Sequence, residues 1–353
     1  MKILLSTPNL LPEAGGPAYS VPAIKRYLNE CAHQAATMTQ RKSGGDHVLA
    51  DLEKNVADYD VVHNFGTWTP FNHRISSAAY RAGIPQVFCP MGMLEPWALG
   101  QKRLKKKAAW LFYQRRDIER SAVIHATSSM EARNISALGI KVPIAILPRG
   151  IDVPAELSAR PDEKKIRTAL FLSRLHPKKG VLELVEAWAA LHPSGWRLTI
   201  AGPDGDGYGS VVLDAIERLN LKGSISMVGP VYGEEKARLY GEADLFILPT
   251  HSENFGLVIP EALSYGMPVI TTTGAPWEEL RETRSGLWIE PGVPTLVQAL
   301  DDAVRLSSAE LQAMGMRGRK LVEERYGWRA LILKHIELYQ WISQGGNKPD
   351  FVL

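Results

Sequence analysis

Only two cysteines, Cys31 and Cys89, occur in 353 residues, far apart and in no CxxC pattern. Neither a disulfide scaffold nor a cysteine metal site is expected. There is no apolar run of about 18 residues or more, so no segment is expected to span a membrane. The opening stretch, Met1-Lys2-Ile3-Leu4-Leu5-Ser6-Thr7-Pro8, is apolar too briefly for a secretory signal and reads as a buried first strand. The expected compartment is therefore the cytoplasm. No repeat of roughly 20–50 residues suggests a solenoid. His-Glu-x-x-His and EF-hand loops are missing, so no metal is implied. Gly202-Pro203-Asp204-Gly205-Asp206-Gly207 is not a G-x-G-x-x-G, which argues against NAD, and its two aspartates read as turn residues.

What is present is an ordinary globular composition, 45% apolar and 22% charged, with length enough for two domains. Net charge is +3, unevenly spread. Residues 1–160 hold 20 Lys+Arg against 13 Asp+Glu, while the remainder hold 21 against 25. The first half is the basic one.

Short apolar strands alternate with helical stretches throughout, which argues for parallel sheets wrapped by helices. In the first half the candidate strands are 2–6, 36–39, 60–64, 86–89, 123–126 and 144–147. In the second they are 168–173, 197–201, 225–228, 245–248, 269–272 and 287–289. Polar, proline-bearing residues 151–167 read as a linker. Two doubly wound domains in series imply a ligand cleft. Beyond residue 292 the chain looks helical to Gln344, with a kink near Tyr326-Gly327-Trp328. Trp328, Leu331, Ile332, His335, Ile336, Leu338, Tyr339 and Ile342 form a stripe at helical spacing.

The most informative stretch is Ser252-Glu253-Asn254-Phe255-Gly256-Leu257-Val258-Ile259-Pro260-Glu261. It lies between the apolar run ending Leu248-Pro249 and a helix that Gly266 and Pro268 close. A strand, a short loop and a helix start suit a phosphate at the carboxyl edge of a sheet. Glu253 and Glu261 lie eight residues apart, a little over two helical turns. A carboxylate accepts two hydroxyls at once and so suits a sugar or ribose diol. Either one alone reads as an N-cap or an exposed helix carboxylate.

The Glu-x7-Glu pair around Asn-Phe-Gly-Leu resembles the signature of the retaining glycosyltransferases of family 4, which have the GT-B fold. Ser173-Arg174-Leu175-His176-Pro177-Lys178-Lys179-Gly180 is similar to that family's Arg and Lys after the first strand of the second domain. The match is specific over residues 168–275. The first half resembles the family more loosely, through the Gly15-Gly16 loop and Met93-Leu94-Glu95-Pro96-Trp97.

The resemblance implies an α/β chain of two Rossmann-like domains facing across a cleft. An acceptor-binding domain would span 1–160 and a nucleotide-sugar domain 161–325, with 326–353 a helix packing back on the first. Arg174 and Lys179 would clamp the diphosphate, and the family spacing favours Lys179 over Lys178. Glu253 would hold donor-sugar hydroxyls and Glu261 the ribose diol. Gly16, Asn254, Phe255, Gly256, Leu257 and Val231 would line the donor. The family needs no protein nucleophile, since the leaving phosphate takes the acceptor's proton. Where many relatives have a donor-sugar His, this chain has Met91. That contact is then absent or supplied from elsewhere, with His63 and His125 the acceptor-side candidates, though either equally suits a hydrogen-bonded strand end.

Between Trp97 and Arg116, seven Lys and Arg residues interleave with Trp110, Leu111, Phe112 and Tyr113. Such a segment can lie on an anionic membrane surface, or be a solvated helix with its apolar face inside. No nucleic-acid motif accompanies it. The expected function is transfer of a sugar from a nucleotide sugar to a glycan or polyprenyl-diphosphate-linked acceptor. A phosphorylase or epimerase of the same architecture, or a two-lobed sugar-binding protein, is the alternative.

Overall fold

The computed structural model describes residues 1–11, 16–40, 44–51, 56–157, 166–205 and 207–353. Gly15, eight residues of the expected linker (158–165) and Asp206 lie outside them. The chain forms two compact units, Met1–Gly150 with Trp328–Leu353, and Ile151–Gly327.

The first unit holds a seven-stranded sheet in the order β3-β2-β1-β4-β5-β6-β7. Its strands are β1 (Lys2–Ser6), β2 (Gln34–Thr39), β3 (His47–Val48), β4 (Val61–Phe65), β5 (Gln86–Cys89), β6 (Val123–Ala126) and β7 (Ile144–Ile146). All pairs are parallel. Alternation decides the packing. Ile3 and Leu5 join one buried cluster, while Leu4 between them joins another on the opposite face. A sheet buried on both faces needs apolar residues at successive positions, and so the strands read as continuous runs. The first cluster includes Trp328, Ile332, Leu338 and Tyr339. The terminal helix Trp328–Gln344 therefore packs its stripe on the first sheet and against the helix Gly16–Glu30.

The second unit carries six parallel strands in the order β10-β9-β8-β11-β12-β13. They are β8 (Arg167–Leu172), β9 (Trp196–Ala201), β10 (Ile225–Gly229), β11 (Leu245–Leu248), β12 (Val269–Thr272) and β13 (Gly286–Ile289). Strand order reverses between β8 and β11, and between β1 and β4 in the first sheet. At such a reversal the loops beyond the two strands turn opposite ways and leave a crevice at the carboxyl edge.

The chain from residue 292 is not one kinked helix. It forms Val293–Val304, Ser308–Arg325 and Trp328–Gln344. Ser307 starts the second with a capping box, its side chain and that of Glu310 each bonding the other's backbone N–H.

Candidate active site

The reversal between β8 and β11 is where the charged residues gather. After β8 the chain passes Arg174 and makes a tight turn, Pro177–Lys179, before the helix Val181–Leu191. His176 caps that turn, its Nδ1 accepting from the Lys178 N–H at 3.0 Å. Gly180 ends it with φ +69°, and a Cβ there would stand 2.0 Å from the Pro249 carbonyl oxygen. Only glycine allows the β8 loop to lie so close to the β11 loop. The two are also stitched together, since the Lys178 carbonyl accepts from His251 N (2.8 Å) and Thr250 Oγ1 (3.0 Å).

This contact sets Lys179 Nζ against Glu253 Oε1 as an ion pair, with side chains 14% and 12% exposed. Glu253 is anchored through its backbone, its N–H donating to the Gly274 carbonyl at 2.7 Å. Phe255 is buried in one aromatic cluster with Trp277 and Tyr326, and its carbonyl accepts from Trp277 Nε1 at 2.6 Å. Gly256 turns the chain with φ +75°, and Leu257 precedes the short helix Val258–Ser264. Arg174 is exposed and has no hydrogen bond or ion pair among the described residues.

Glu261 has partners of its own. It bonds Lys236 Nζ at 2.6 Å and the buried Tyr240 hydroxyl at 3.0 Å. Burial, then the Glu261 charge, pushes the Tyr240 phenol well above its ordinary range, so it stays a donor. The two glutamates are thus held from different elements, Glu253 from the β8 loop and Glu261 from the helix Gly233–Glu242. Val231 is buried in the core and can offer only its backbone to a ligand.

In the first unit Gly16 opens the helix Gly16–Glu30. His63 and His125 are fully interior. The His125 Nε2–H donates to the Leu147 carbonyl (2.7 Å), which makes its Nδ1 an acceptor for the His63 Nε2–H (3.1 Å). His63 Nδ1 then accepts from the Tyr339 hydroxyl at 2.8 Å. One fixed set of tautomers satisfies all three groups. Burial holds His63 well below its ordinary pKa and His125 at about 4, so both are neutral near pH 7. All four ring nitrogens of the pair are thus engaged by Leu147, Tyr339 and each other. Cys89 lies near them, with ligand atoms of the three within 4.8 Å of one another. Its thiol instead donates to Met91 Sδ at 3.3 Å, and burial pushes its pKa up, which disfavours the thiolate a metal needs.

Sequence reasoning passed over Arg149, which follows β7. Its Nη2 meets Met91 Sδ at 3.4 Å. The only sequence signal was the residue type, because the reach depends on tertiary packing.

The segment 97–116 is a chain of short helical pieces, including Arg103–Ala109 and a π-turn at Trp110–Gln114. Tyr113 and Gln114 bind the body through Trp68, at its carbonyl and its N–H, 2.7 Å each. Leu104, Leu111 and Phe112 point out, 83%, 82% and 75% exposed, beside exposed Lys105, Lys107, Arg115 and Arg116. Those three side chains do not pack inside, whereas Trp110 packs against the cluster of Phe88 and Leu94, so the solvated-helix reading holds for part of the apolar face.

Residues 155–321 match the family Glycosyl transferases group 1, and residues 41–154 match Glycosyltransferase Family 4. A GDP-mannose-dependent alpha-mannosyltransferase of Mycobacterium tuberculosis is 25% identical over 371 residues, 91% of this chain and 92% of that protein. A D-inositol 3-phosphate glycosyltransferase of Segniliparus rotundus is 28% identical over 239 residues, 63% of this chain and 52% of that protein. The chain spans about half the length of this relative and of an uncharacterized glycosyltransferase of Methanocaldococcus jannaschii. Among solved structures, HepE of Anabaena in complex with UDP and glucose superposes with a TM-score of 0.80 at 18% identity, covering 96% of this chain and 99% of that one. The fold is GT-B.

Proposed function

With a glycosyltransferase family matched by each half of the chain, we propose that the protein is a retaining glycosyltransferase of family 4. It moves a sugar from a nucleoside-diphosphate sugar to a glycan, a lipid-linked precursor of a surface polysaccharide. The observation that carries this reading is the Lys179–Glu253 pair at the strand-order reversal of the second sheet, with Arg174 exposed on the same loop. Two relatives are named for GDP-mannose and for D-inositol 3-phosphate, and a structural neighbour was solved with UDP and glucose.

The chemistry follows from charge. As the acceptor hydroxyl bonds to the anomeric carbon, the anomeric C–O bond breaks and charge grows on the diphosphate. A leaving-phosphate oxygen on the same face takes the hydroxyl proton. Fixed cations stabilise that growing charge more than the ground state, which is what accelerates the step. Arg174 brings a planar fork and Lys179 a point charge. Glu253 holds donor-sugar hydroxyls, and Glu261, oriented by Lys236 and Tyr240, holds the ribose diol. The arginine and lysine serve where other enzymes use a metal. Assaying release of a nucleoside diphosphate from a panel of nucleotide sugars, with and without glycan acceptors, tests the reading. Release from none of them would overturn it.

The outward apolar face of residues 104–112, flanked by lysines, suits the inner surface of an anionic membrane, where a lipid-linked acceptor would lie. Each basic residue near such a surface contributes about 1 kcal/mol. Replacing lysines 105–107 with glutamate should therefore abolish cosedimentation with phosphatidylserine-containing vesicles. Equal sedimentation of both proteins would retire the membrane role.

A further inference from the structure

We infer that Arg149 is a substrate-binding residue of the first unit, donating hydrogen bonds to a sugar or phosphate oxygen beside Met91. This rests on the glycosyltransferase reading and adds a residue to it.

Arg149 leaves the edge strand β7 but does not stay at the edge. Leu147, just before it, continues the β6–β7 ladder. Leu147 N–H donates to the Ala126 carbonyl at 2.9 Å, and its own carbonyl accepts from His125. From there the side chain reaches Met91, beyond β5, and Gly16, at the start of the helix after β1. A Cβ on Gly16 would fall 1.7 Å from Nη1, so the guanidinium occupies the room that a side chain at residue 16 would need. A cation is thus carried from the sheet edge to β1, one of the two strands flanking the reversal of order.

Met91 is the position at which the family resemblance expects a donor-sugar His, and a thioether has no proton to donate. Its backbone is nonetheless built with care. Met91 adopts φ +57°, which a non-glycine residue holds only where the surroundings enforce it. The enforcing group is Glu131, buried, whose Oε1 accepts from Gly92 N at 2.6 Å while Oε2 accepts from Thr127 N and Oγ1. A pinned loop whose side chain at 91 has no proton to donate stands against a guanidinium that reaches it through Nη2. His63 and His125, the other candidates for this contact, have their nitrogens committed to the interior chain.

Arg149→Met, which keeps the aliphatic stem and removes the fork, tests the assignment on the nucleotide sugar that the wild-type protein turns over. Expected is a fall in kcat/KM of roughly ten- to a hundredfold, the worth of a charged hydrogen bond, with the melting temperature little changed. Adding Met91→His to that variant should restore part of the loss, because a donor returns to the same place. A merely structural arginine would lower the melting temperature, and a histidine at 91 would recover nothing. That result, or an unchanged kcat/KM in Arg149→Met, overturns the assignment. Wild-type protein that turns over no nucleotide sugar would instead sink the glycosyltransferase reading, and this one with it.

Discussion

Glu253→Ala is expected to lower sugar transfer about a hundredfold or more while leaving the protein folded, since removing one well-placed polar group from a closed site costs that much. The fold should survive because the loop is not held by this carboxylate. Its anchors are backbone ones: the Glu253 N–H on the Gly274 carbonyl, the Phe255 carbonyl on Trp277, and the Lys178 carbonyl on the β11 loop. Activity should fall for two reasons. The donor-sugar hydroxyls lose their acceptor, and Lys179, only 14% exposed, loses the charge that positions it. Circular dichroism and a melting curve beside the transfer assay separate these from unfolding. Normal turnover in a folded Glu253→Ala protein would remove Glu253 from the site.

A second large effect is expected in stability rather than rate. His125 has its folded pKa lowered to about 4, and burial holds His63 and His335 well below the ordinary histidine value. The folded state therefore keeps these rings neutral, while the unfolded chain takes up protons below about pH 6.5. Stability is fully present above that pH and is lost as pH falls. His125 alone should contribute a loss of about 2 kcal/mol between pH 7 and pH 5. Burial raises Glu131 and Asp117, which act in the opposite sense, so the comparison must be with a variant. His125→Gln can still donate to the Leu147 carbonyl and cannot titrate. Urea unfolding at the two pH values should show a slope flattened by that amount in the variant. Equal slopes would mean that His125 is not held neutral.

Much of the fold was legible because parallel strands buried on both faces are short continuous apolar runs. All twelve expected strands lie within a residue or two of observed ones. The strand that was missed, His47–Val48, has two residues and pairs only with Met38 and Thr39, too little for any periodicity. The two-unit division falls at Gly150/Ile151 and Gly327/Trp328, whereas the sequence suggested 160/161 and 325/326. Composition marks a polar stretch, and packing decides which residues within it join a core. Ile151 is buried and bonds the Tyr326 carbonyl, so it belongs with the second unit.

The site divides in the same way. The family resemblance pointed to Arg174, Lys179, Glu253 and Glu261, and the fold sets Lys179 against Glu253. What spacing could not give was orientation. His63 and His125 sit at strand positions that look available and are in fact turned inward to Tyr339 and Leu147. Arg149 is remote in sequence from Met91, and the apolar residues of 110–113 split between inward Trp110 and Tyr113 and outward Leu111 and Phe112. Each depends on a neighbour far along the chain.

The central claim is that the β8 and β11 loops of the second unit hold a nucleoside diphosphate. Thermal shift of the wild-type protein against UDP, GDP, ADP and NAD tests it most directly. A ligand at a hundred times its Kd adds about 2.7 kcal/mol. One nucleoside diphosphate should raise the melting temperature clearly, NAD should not, and both Arg174→Ala and Lys179→Ala should lose the shift. No response to any nucleoside diphosphate, or the same response in both variants, would contradict the account.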